Sequence, residues 1–98
     1  MTERTSIIVS SKNFRRFLKK VFQKYEGFPV DDVVFDVRDG VLTVSDLEFP
    51  IAHRGISKNL VSKSSIEKVI KVLKQASDQP IKVTFEPMWA CMELQCQF

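Results

Sequence analysis

The chain has 98 residues, 44% of them apolar and 28% charged, the balance of one folded domain with its own core and not of a disordered segment. No apolar run approaches the roughly 20 residues of a membrane span, and the opening MTERTSIIVS lacks the charged start and long apolar middle of a signal peptide. Cys91 and Cys96 are oddly spaced and fall on opposite faces of a strand, so the expectation is a reduced, cytoplasmic, single-domain protein (1–98) that makes no membrane contact.

The first predicted element is a strand, TSIIVS (5–10), short, β-branched and apolar. From Ser11 the period changes. Phe14, Phe17, Leu18, Val21, Phe22 and Tyr25 fall on one stripe of an α-helix. Ser10 or Ser11 can cap its start, and Gly27 stands where a left-handed residue closes a helix. Asp39-Gly40 between β-branched runs predicts a hairpin with Arg38 opposite Val41, Val37 opposite Leu42 and Phe35 opposite Val44. That register puts Val33, Phe35, Val37, Leu42 and Val44 on one face. LEFPIAHR continues the alternation, with Leu47, Phe49 and Ile51 inward, and Pro50 assigns this strand to a sheet edge.

GISKNLVSK reads as a connector. Ser64 and Glu67 then form a capping box for a second helix, whose stripe is Ile66, Val69, Ile70, Leu73 and Ala76. Two strands close the chain. The first has Ile81, Val83 and Phe85 on one face, and the second has Ala90, Met92, Leu94, Cys96 and Phe98 on one face. The predicted fold class is α+β: duplicated strand-helix-strand-strand units, six strands in all, with two helices on one face of a mainly antiparallel sheet. SSKNF and GISKNL echo each other ahead of the two helices.

The net charge of +3 conceals an asymmetry. Residues 12–26 and 63–78 together hold ten cations against three acids, while the rest of the chain holds five cations against nine acids. On the first helix Arg15 and Arg16 sit four residues from Lys19 and Lys20, so like charges face each other at a cost of a few tenths of a kcal/mol per pair. Ordinary solvated helix faces mix signs; this one does not. The cationic face is open to two readings, a solubility device or a surface for a polyanion.

Catalytic chemistry has little to stand on. Gly27, Gly40 and Gly55 are assignable to caps, turns and connectors, which leaves no phosphate-cradling loop. His53 is a lone histidine at a strand end, Asp31-Asp32 read as loop residues, and no ligand spacing suggests a metal. The expectation is a non-enzyme without cofactor or metal. Trp89, with Met88 beside it, is a candidate anchor for a partner or a ring half-covered by a loop.

SKNFRRFLKKVFQKY, VVFDVRDGVLTVSD and LVSKSSIEKVIKVLKQASDQPIKVTF together resemble one domain of the DNA sliding clamps. The resemblance implies a duplicated fold whose helices pass over DNA phosphates while the sheets form an acidic outer wall. Matched by position, Arg15, Arg16, Lys19, Lys20 and Lys24, with Lys68, Lys71 and Lys74, would face the nucleic acid. Clamp subunits carry two or three such domains and this chain carries one, so a ring requires a homo-oligomer joined through edge strands. The functional expectation is a clamp-like domain presenting a basic helical face to DNA or RNA without sequence specificity. The alternative is a small adaptor or inhibitor that docks an acidic partner protein.

Overall fold

A computed structural model describes residues 5–75, 78–86 and 91–96. Strand β1 (Thr5–Ser10) runs directly into helix α1 (Ser11–Tyr25). Ser10 serves both, because its hydroxyl accepts the Asn13 amide as an N-cap. The helix closes at Glu26, and Gly27, at φ +84°, takes the left-handed turn that a side chain resists. β2 (Asp32–Arg38), β3 (Val41–Val44) and β4 (Leu47–Pro50) follow as a meander, then β5 (Ile56–Ser62), α2 (Lys63–Gln75), β6 (Pro80–Glu86) and β7 (Cys91–Cys96).

The hairpin has the expected register, Arg38 against Val41 and Val37 against Leu42. Asp39 and Gly40 both have positive φ, which is the geometry of a type I′ turn. β4 lies at a sheet edge, where Pro50 lacks no ladder bond.

Five expectations are corrected. The described strands number seven, not six, in two antiparallel sheets ordered β1-β6-β7 and β4-β3-β2-β5. The supposed connector is β5, paired along its length with β2 from Ser62 opposite Asp32 to Ile56 opposite Arg38. LEFPIAHR holds only the four-residue β4, which completes the first half instead of opening the second. The capping box on Ser64 also gives way: α2 starts at Lys63, and the Ser62 hydroxyl accepts the Ser65 amide. Finally, the echoed Ser-Lys-Asn triplets are not equivalent, since one opens α1 and the other lies within β5.

A different correspondence is present in the bonds. The Ser11 amide donates to the Gln79 carbonyl at 3.0 Å, and the Lys63 amide donates to the Asp31 carbonyl at 2.9 Å. Each ties the first residue of a helix to the residue before the strand that pairs with that helix's own leading strand. The leading strands β1 and β5 meet where the Thr5 hydroxyl donates to the Ser57 hydroxyl at 2.8 Å.

Both helices and both sheets share one core. Phe14, Leu18 and Val21 of α1, Ile66, Val69 and Leu73 of α2, and Val33, Phe35, Val37, Leu42, Val44, Val83 and Phe85 of the sheets are buried together. Phe35 and Phe85, one from each sheet, meet at 5.6 Å between ring centroids. Ile70 is only partly buried, and Ala76 and the faces of the last strand lie outside the described residues. Neither described helix is long and apolar enough to cross a membrane.

Ser62→Ala should lower stability by about 1 kcal/mol, the usual worth of an N-cap, while Ser64→Ala should change it by no more than about 0.5 kcal/mol. Thermal unfolding of the two variants distinguishes the caps; the reverse ranking would return the helix start to Ser64.

Candidate nucleic-acid interface

The sequence places a cation at most positions of α1 that the core does not claim, and the fold turns them to solvent. Lys12, Arg16, Lys19 and Lys20 are exposed, as are Lys68, Lys71 and Lys74 on α2. The two helices pack side by side, so the charges lie on one surface. Counted from each capping serine, Arg16 and Lys68 are sixth, Lys19 and Lys71 ninth, and Gln23 and Gln75 thirteenth. Neither helix has an acid in its first turn.

Three cations differ from the rest. Lys24 lies on the flank of α1 that faces β4 and reaches Asp46 at 2.7 Å. The hydrogen bond from Lys24, the Asp46 backbone amide and the ammonium charge hold the Asp46 carboxyl below its ordinary value near 3.8. Lys71 meets Glu67 at 3.3 Å one turn away, a pair exposed enough to be worth only a few tenths of a kcal/mol.

Arg15 lies on the flank of α1 opposite Phe17, beside Phe22. It is half-buried, and its Nε is closed off without a hydrogen-bond partner. Arg16, Lys19, Lys20, Lys68 and Lys74 have no ion-pair partner among the described residues. They are the cations that a phosphate would meet unopposed.

The sequence stripe missed Val72, which is 54% exposed amid the α2 lysines. No charge pattern could have marked it, because its position on the wheel borders the core. Lys63 turns away from this face and donates to the Phe28 carbonyl at 2.6 Å. Trp89 lies outside the described residues.

Among the described residues no three His, Cys, Asp or Glu side chains converge as a metal site requires. His53 lies half-buried in the 51–55 loop near the hairpin turn, in a groove with Asp39 and Arg54, where it has no nucleophile to activate. Comparison with family models, with curated proteins and with solved structures returns no match.

Two measurements test this geometry. In an NMR titration the Asp46 carboxyl should have a midpoint below 3.8 that returns toward it in Lys24→Gln. The contribution of the pair to stability is complete above the unfolded value and disappears as pH falls through the lowered folded one. Arg15→Met should leave stability unchanged or raise it, since it removes a closed-off Nε and keeps the stem. A loss above about 2 kcal/mol in denaturant unfolding would show that the guanidinium is satisfied.

Proposed function

We propose that this chain is a clamp-like domain of two duplicated units that presents its paired helices to the phosphate backbone of nucleic acid. Several features support duplication: the matched helix-start bonds, the matched capping serines, and the two seven-residue strands β2 and β6, each paired to the other half's leading strand. The first unit is strand-helix-strand-strand-strand. The second has the same order through β7, and among the described residues nothing corresponds to β4.

The observation that carries the reading is the repeated cation spacing on adjacent helices. Arg16 and Lys19 on one helix and Lys68 and Lys71 on the other recur at the same distances from their capping serines, and all four are exposed. A nucleic-acid backbone is a repeating row of phosphates, which evenly spaced cations can follow. Contact of this type reads charge and spacing and carries no base information, so binding is indifferent to sequence. Self-association falls to the sheet edges other than β1, which are β7, β4 and β5.

Fluorescence anisotropy with a labelled duplex of arbitrary sequence tests the proposal. Affinity should fall steeply with salt, and Arg16→Glu with Lys20→Glu should abolish binding while leaving the circular dichroism spectrum intact. Neutral Arg16→Gln with Lys20→Gln should lower the salt slope by about two, close to 0.9 for each phosphate that is no longer neutralised. Salt-independent binding, or none at low ionic strength, overturns the reading. Stoichiometric capture of one acidic protein by a sample free of nucleic acid would favour the adaptor.

A further inference from the structure

β1 is the edge of its sheet, and β4 is the edge of the other. The two strands flank one seam without forming a ladder. A groove of about 500 Å³ opens there, lined by Ile8 of β1, Asn13 of α1, and Phe49, Pro50, Ile51 and Ala52 of β4 and the loop after it. Its floor is aromatic: the Phe49 ring lies 5.7 Å from that of Phe14 and 5.2 Å from that of Phe17. Ile8, in the middle of β1, is 48% exposed.

Edge strands carry devices that prevent pairing, such as a charge, a proline or shortness. β4 has Glu48 and Pro50, and β5 has Lys58. β1, Thr5–Ser10, has none: six residues, uncharged and without proline. Its free side is a row of backbone donors and acceptors that an extended backbone satisfies.

The surroundings select among extended segments. Lys82 stands opposite Ile8 across the ladder, and Arg16 lies one turn beyond Asn13 on the α1 wall. Of the nearby carboxylates, Asp78 is engaged by the Ser10 hydroxyl at 2.9 Å and faces the Lys12 amide at 3.4 Å, while Glu48 belongs to β4.

The geometry points to a peptide-docking site: an extended segment of a partner protein adds as a strand to β1. Its alternate apolar side chains enter the groove over Phe49 and Ile51, and an acidic residue faces Arg16 or Lys82. This site lies on the sheet seam; it shares Arg16 with the helical face and does not otherwise depend on the nucleic-acid reading.

The test starts by selecting from a displayed library of random-sequence peptides on the immobilised full chain. Binding of a synthesised winner is then measured by anisotropy. The expected peptides alternate apolar residues and carry acid at one end. On binding, amides within residues 5–10 should gain protection from hydrogen exchange. Ile8→Lys and the groove-filling Ala52→Trp should each weaken binding at least tenfold, with Val34→Lys, on the other sheet's outer face, as a control that leaves it unchanged.

Duplex binding is measured on the same variants. Its retention in Ile8→Lys separates failure of this site from failure of the helical face. The inference is overturned if no peptide exceeds library background, if winners protect other amides, or if Val34→Lys removes binding while Ile8→Lys does not. It is also overturned if sedimentation shows a dimer that Ile8→Lys dissolves, because a second copy then occupies the edge.

Discussion

One backbone hydrogen bond, made twice, fixes where each helix begins. When the Ser11 amide reaches Gln79, and the Lys63 amide Asp31, a helix start is pinned to the mouth of the strand beside it. An amide in the first turn has no partner inside its own helix. These two find theirs in the opposite half of the chain, so neither half can complete its helix junction alone. From that follow the lie of both helices, their contact with each other, and the side on which the cations emerge. The core then closes beneath them through Phe35 and Phe85.

The parts of this arrangement that were legible in the sequence are those in which the periodic pattern and the burial agree. α1 was readable because its apolar stripe is uninterrupted, and the hairpin because Asp39-Gly40 admits few other turns. β5 was not, because its polarity runs backwards. Its inward residues include Ser57 and Asn59, while Ile56 and Leu60 face outward, 68% and 48% exposed. Asn59 can be buried because its amide donates to the Phe35 carbonyl and the Ser57 hydroxyl. A polar residue satisfied by a distant strand leaves no local trace.

The start of α2 shows a second kind of failure. Ser64 and Glu67 make a sound local capping box, yet the helix begins earlier, because the Lys63 amide is committed to Asp31 and Ser62 is already in place. Tertiary constraint overrode local preference by two residues. The candidate site was legible in kind: Arg16, Lys19, Lys20, Lys68 and Lys74 emerge exposed as their spacing implies. What spacing could not say is that Lys24 is held by a turn between strands and that the Nε of Arg15 is closed off from solvent.

The seam between β1 and β4 has a mechanical meaning as well. Within each sheet, strands are joined by ladders of hydrogen bonds, which share a shearing load among many bonds at once. Across the seam, among the described residues, no ladder joins the edges, and Phe49 of β4 packs against the rings of Phe14 and Phe17 on α1. Packing resists separation weakly and over a short distance. A load drawn across this line therefore meets side-chain packing, whereas a load along the strands meets ladders of hydrogen bonds.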